Sequence, residues 1–205
     1  MSNDTSLINA LIAPNHFFGA LGADREKIGL PALIVIISAL LAGAGAYLMA
    51  PSLVGDVPDV DPATVQMIAG VGGAIFAGFV LLLGWVIGSL IMHVIVKILG
   101  GTGSFKSTLA TVGYGNLPQI LSGLLMVAVV FIYHPDLAAI ATAGPAALGT
   151  MAPAMVAVTV VGFVVLVWSA VIETYGLVHA HDLSFGRALI APVVMLFFSV
   201  LLGAI

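Results

Sequence analysis

Residues 75–96 read IFAGFVLLLGWVIGSLIMHVIV, a run of 22 residues that contains no Asp, Glu, Lys or Arg. A helix needs roughly 20 apolar residues to cross the hydrocarbon core of a bilayer, which is about 30 Å thick. The run lies within a longer apolar segment, about 65–99, which exceeds one span and is expected to tilt or project beyond the bilayer. Because lipid offers backbone amides no partner, this segment is predicted to be a transmembrane helix.

The composition of the whole chain has the same character. Of its 205 residues, 61% are hydrophobic and 7% are charged, and the mean hydropathy is +1.25. A soluble domain carries about a quarter charged residues, so this composition excludes a soluble globular enzyme. Five basic residues and a net charge of −4 leave no patch for nucleic acid. The chain has no Cys for thiolate metal sites or Fe–S clusters, and we expect no metal and no cofactor.

Four other segments are long and apolar enough to cross a bilayer. The predicted fold class is therefore an all-α polytopic membrane protein in which residues 28–205 form a single transmembrane domain. Its five helices are expected at about 28–49, 65–99, 108–133, 152–178 and 183–205.

Residues 1–27 are too short to span but carry a helical pattern. Leu7, Ile8, Leu11 and Ile12 recur at helical spacing. The segment is predicted to be an amphipathic helix lying on the inner leaflet, the alternative being a flexible end.

The basic residues predict the orientation. All of them fall on the same side of a five-span chain, which places the N-terminus in the cytoplasm and Ile205 outside the cell membrane. They are Arg25, Lys27, Lys97, Lys106 and Arg187.

Small residues recur every fourth position along the second predicted span. They allow helix backbones to approach closely, so they predict packing against another helix or against a second copy of the chain. The set comprises Gly70, Gly73, Ala74, Ala77 and Gly78.

Polar residues inside the spans are the candidates for function. Glu173 is the only acidic residue within a predicted span, and His93 lies at similar depth. Glu173 is expected to pair with His93 or Lys97; snorkelling to the interface and a role in cation or proton transport are the alternatives.

A second polar group surrounds Pro118, which removes a helical hydrogen bond. Tyr114, Asn116 and Gln119 would repair the kink, or would line the binding site of a transporter with a broken helix. His179 and His181 point about 200° apart on a helix, so no metal site is predicted there.

Several strings carry a family resemblance: APNHFF at 13–18, GGTGSFKSTL at 100–109 and GYGNLP at 113–118. With five spans, the chain resembles the Yip1 family of small membrane proteins, and most closely its compact prokaryotic members. The resemblance implies the fold and topology. Eukaryotic members contact Rab-type GTPases through a longer N-terminal region, whereas only 24 residues precede Arg25 here.

The sequence thus predicts a non-enzymatic scaffold or membrane-organising protein, because it offers neither paired carboxylates nor a nucleophile–base pair. Membrane lipids, and possible protein partners including a second copy of the chain, would act at the cytoplasmic face. Lys97, Lys106 and Arg187 are suited to anionic headgroups. The alternative function is a small transporter or channel that uses the groove around Pro118 with Glu173.

Overall fold

The computed structural model describes residues 5–50, 54, 58–133 and 152–201. These residues form α-helices joined by short connections, with no strand among them, which confirms the all-α class. A 3₁₀ turn, Gly22–Glu26, precedes the third helix. The helices are α1 (Leu7–Ile12), α2 (Pro14–Leu21), α3 (Gly29–Met49), α4 (Pro62–Ile98), α5 (Phe105–Gly115), α6 (Leu117–Tyr133), α7 (Ala152–His181) and α8 (Phe185–Leu201).

Within the described ranges, four helical segments are long and apolar enough to cross a membrane, namely Gly29–Met49, Pro62–Ile98, Phe105–Ile132 and Val156–His181. The fifth predicted span corresponds to α8, a shorter apolar helix of 17 residues. The predicted continuation of that span to Ile205 lies outside the described residues. The protein is an all-α polytopic membrane protein.

Helix α4 is the longest of the described helices, with 37 residues and a length of about 55 Å. It begins three residues before the predicted start because Asp61 caps it. The Asp61 carboxylate accepts a hydrogen bond from the backbone N–H of Thr64 at 3.1 Å, and Pro62 occupies the first turn.

The third predicted span, about 108–133, corresponds to the apolar segment Phe105–Ile132, which is interrupted at Asn116 between α5 and α6. Ser104 caps α5, which therefore starts three residues earlier, and α5 ends at Gly115. Pro118 follows in the first turn of α6, where its missing N–H has no helical partner to lose. Between them, Asn116 donates its side-chain N–H to the Val112 carbonyl at 2.9 Å.

Helices α3 and α4 form the most extensive pair, and small residues line their contact. A Cβ placed on Gly43 of α3 would lie 3.0 Å from the Ala74 carbonyl oxygen. A Cβ on Gly70 would lie 2.9 Å from the ring of Tyr47. Gly73 and Gly78 also face α3, opposite Ala46 and Ala39, whereas Ala77 is half-buried.

The N-terminal segment is helical, and one of its faces packs against the bundle rather than lying alone on the leaflet. Phe17 and Phe18 are buried beside Tyr114 and Ile172. The ring centroids of Phe17 and Tyr114 lie 5.0 Å apart, edge to face. The other face leaves Ile8 and Ile12 exposed, as amphipathic helices at a membrane interface do.

Candidate functional site

All five Lys and Arg residues lie exposed at one end of the bundle, which we call the basic end and define as residues 22–27, 97–106 and 179–187. Hydrogen bonds connect its three segments. Arg25 donates to the His179 carbonyl at 2.9 Å, and Ser104 donates to the Glu26 carboxylate at 2.6 Å. The three segments of the basic end therefore form one surface that is held together by hydrogen bonds.

The glycine-rich turn that follows α4 packs directly on the end of α7. The backbone N–H of Thr102 donates to the His181 carbonyl at 3.0 Å, and its hydroxyl donates to Asp182 at 2.9 Å. A Cβ on Gly101 would lie 3.0 Å from His181 Nδ1, so this approach requires glycine. The turn is a packing element of the basic end.

Two histidines meet through one hydroxyl beneath this turn. The Thr108 hydroxyl lies 2.9 Å from His93 Nδ1 and 2.7 Å from His181 Nε2. His181 is fully buried, and its Nδ1 has no partner within the described chain. We assign the His181 proton to Nε2, because the alternative would bury an unpaired N–H donor. Thr108 then donates to His93.

Neither predicted pairing of Glu173 occurs among the described residues. His93 contacts Thr108, and Lys97 donates to the Thr102 carbonyl at 3.2 Å. The reason is helix order: α5 contacts both α4 and α7, and so stands between Glu173 and the partners expected for it. Tyr114 also lies apart, against Phe17 and Phe18.

Glu173 faces instead a cavity of about 440 Å³ bounded by α4, the α5–α6 break, α7 and α8. Asn116 and Gln119 line the same cavity, so the structure brings together three of the five predicted intramembrane polar residues. The lining also includes residues that the sequence did not indicate as candidates. The polar ones are Ser169 and Ser199, and the apolar ones include Trp85, Met92 and Met195.

Missing side chains create this cavity. Gly84 and Gly88 line it from α4, and a Cβ on Gly84 would meet no other atom within 4 Å. On the opposite wall, a Cβ on Gly115 would lie 2.7 Å from Glu173 Oε1, so the carboxylate rests against bare backbone. The Trp85 ring is held in place because its N–H donates to the Leu109 carbonyl at 3.0 Å.

Two polar groups of the cavity, those of Ser169 and Glu173, form no hydrogen bond with the described residues. Ser169 is 7% exposed, and its hydroxyl has no hydrogen-bond partner in the part of the chain that is described. The described residues also form no hydrogen bond or ion pair with the Glu173 carboxylate. Ser169 lies one turn before Glu173 on α7, a spacing that could have predicted it. Among the described residues, no group of three or more His, Asp or Glu could hold a metal ion.

The fold and these two sites define a polytopic α-helical membrane protein with a basic end and a polar cavity between its helices. The family model of the Yip1 domain matches residues 8–205, and the chain belongs to the Yip1 family. It is also 33% identical over 134 residues to an uncharacterized protein of Methanocaldococcus jannaschii, covering 62% of this chain and 89% of that protein. No solved structure matches the chain.

Proposed function

We propose that this Yip1-family protein is a non-enzymatic membrane-organising protein whose basic end lies in the cytoplasm of the cell and binds anionic lipid headgroups. The observation that supports this function is that every Lys and Arg is exposed at that end. The positive-inside rule then orients the N-terminus towards the cytoplasm and the C-terminus outwards.

Three basic residues are best suited to the lipid contact. Lys97, Lys106 and Arg187 stand at the end of α4 and at the starts of α5 and α8. Each basic residue near an anionic surface contributes about 1 kcal/mol. The basic end would bind anionic lipid, and a protein partner would bind to the same surface.

The test is lipid retention. The triple variant Lys97→Gln, Lys106→Gln, Arg187→Gln is incorporated into nanodiscs of mixed anionic and zwitterionic lipid, and the lipid retained after detergent extraction is quantified by mass spectrometry. We expect the enrichment of anionic over zwitterionic lipid to disappear.

The matched control for this test is Lys27→Gln. Lys27 lies at the same end, but its ammonium is already 2.9 Å from the Asp24 carboxylate. Its replacement should leave the enrichment unchanged. Undiminished enrichment in the triple variant would refute the lipid-binding role.

A second candidate function, a small transporter or channel, is favoured by one observation: Glu173 and Asn116 share a cavity beside a broken helix. Broken helices that present polar groups are a recurrent construction of transporter sites. Cation or proton flux into liposomes should then be lost in Glu173→Gln and preserved in Asp59→Asn, which removes an exposed carboxylate far from the cavity. Equal flux in wild type and empty liposomes would reject this function.

A further inference from the structure

The charged side chain that lines the cavity is acidic, and no basic side chain among the described lining residues balances it. Glu173 contributes a carboxylate, and none of the described residues that line the cavity is Lys, Arg or His. Glu173 is half-buried within a membrane-spanning helix, where a carboxylate without a cationic partner is costly, and a positively charged ligand would supply that partner. The cavity therefore complements a cation.

The rest of the lining favours an organic cation over a metal ion. Hard metal ions take six or more oxygen ligands in a tight shell, whereas this space of about 440 Å³ has one carboxylate and mainly apolar walls. Pockets for small organic molecules occupy about 300–1,000 Å³. The apolar walls, among them Leu81 and Met195, suit a hydrocarbon body.

We propose that the cavity is a binding site for an organic ammonium group attached to an apolar body, with Glu173 as its counter-ion. Ser169 supplies a buried hydroxyl that lacks a partner among the described residues. The amide N–H of Asn116 is engaged by Val112, which leaves its carbonyl oxygen to accept from the ammonium. The fixed ring of Trp85 adds a cation–π surface.

The ammonium group could belong to a free amine or to an aminolipid headgroup, since both present the same chemistry. The proposal is separate from the anionic-lipid role of the basic end, because the charge of the ligand is opposite and the residues differ. Replacing Lys97, Lys106 and Arg187 should leave this site intact.

The experiment measures binding of 2-phenylethylammonium to the full chain in phosphatidylglycerol nanodiscs by calorimetry, with the neutral 2-phenylethanol as comparison and empty nanodiscs as blank. Fluorescence provides a second readout, since in Trp168→Phe the cavity residue Trp85 is the only tryptophan. We expect saturable 1:1 binding of the ammonium and at least about tenfold weaker binding of the alcohol, because a hydrogen-bonded charge is lost.

Two variants locate the site. Glu173→Gln keeps the shape of the side chain and should bring the ammonium down to the affinity of the alcohol. Gly84→Leu should abolish binding, because its side chain would fill the cavity. Its matched control is Gly72→Leu: it lies on the same helix, a Cβ there also meets no atom within 4 Å, and Gly72 is outside the cavity lining. Gly72→Leu should bind as wild type does.

A third arm distinguishes the sources of the ammonium. If an aminolipid occupies the cavity, adding phosphatidylethanolamine to the nanodiscs should weaken binding of the probe to wild type. Unchanged affinity would identify a free amine as the ligand.

Several outcomes would overturn the proposal. These are equal affinity for the ammonium and the alcohol, ammonium binding that survives in Glu173→Gln, and the absence of saturable binding above empty nanodiscs. Each variant is compared by circular dichroism and size-exclusion chromatography. If Gly84→Leu fails these checks, Glu173→Gln alone decides.

Discussion

At the scale of single residues, the packing of the described interior depends both on glycines, which lack a side chain, and on single polar groups that bond to several neighbours. Gly115 lets α5 approach α7 so closely that a Cβ there would lie 2.5 Å from Glu173 Cγ. Thr108 has the opposite role, because its one hydroxyl serves two histidine rings. Both positions tolerate little change.

We expect Gly115→Ala to destabilise the protein by about 1–3 kcal/mol, the usual cost of overpacking. Thermal unfolding in detergent measures the change. Adding Glu173→Ala should recover part of the loss, because it removes the side chain that the new methyl group strikes. The control, Gly162→Ala on α7, meets no atom within 4 Å and should be neutral or stabilising. Equal losses in both single variants would contradict this account.

Thr108→Val should cost about 1–3 kcal/mol, because it leaves two ring nitrogens without their partner. Thr174→Val is the matched control: Thr174 is equally buried, but among the described residues its hydroxyl bonds to the Ala170 carbonyl one turn back and to no other group. Chemical unfolding of the two variants should show the larger loss for Thr108→Val. The opposite order would show that the histidine pair is not stabilised by this hydroxyl.

At the scale of elements, α1 and α2 are attached to the bundle by buried contacts. Phe17 is 1% exposed, and the indole N–H of Trp168 donates to the Leu11 carbonyl at 2.9 Å. Short helices of six and eight residues are not stable by themselves, so these contacts hold them.

Phe17→Ala should therefore release both helices, and hydrogen exchange by mass spectrometry should speed up over residues 7–21 while α7 stays protected. The control is Phe197→Ala. Phe197 is 63% exposed, so its replacement removes little contact with the rest of the protein. Unchanged exchange over residues 7–21 would mean that the segment is held by other contacts.

The helices also show what sequence can predict. The limits of α3 were predicted within one residue, because they follow from apolar composition alone. Helix α7 extends three residues beyond the predicted 178, because His181 is polar in sequence yet buried by the glycine-rich turn. The sequence predicts the cavity only in part. The positions of Glu173 and Asn116 along their helices can be inferred from the sequence. The neighbouring helix that each side chain faces cannot, because it depends on the order of helices in the bundle.

At the scale of the whole molecule, the orientation can be tested because the sequence has no cysteine. A thiol introduced at Asp59 or at Lys106 is then the sole target for a membrane-impermeant maleimide. In intact cells we expect Asp59→Cys to be labelled and Lys106→Cys to react only after permeabilisation. The reverse pattern would place the basic end outside.

The unequal lengths of neighbouring helices have a consequence for the surrounding lipid. Helix α3 has 21 residues and α4 has 37, and the two pack side by side. The apolar belt that these two neighbouring helices present to lipid therefore changes height from one helix to the next. Matching lipid to such a belt costs a fraction of a kcal/mol for each Å of misfit. We expect the protein to collect where bilayer thickness changes, at the borders between thick and thin domains, and to shift position when lipid chain length is altered.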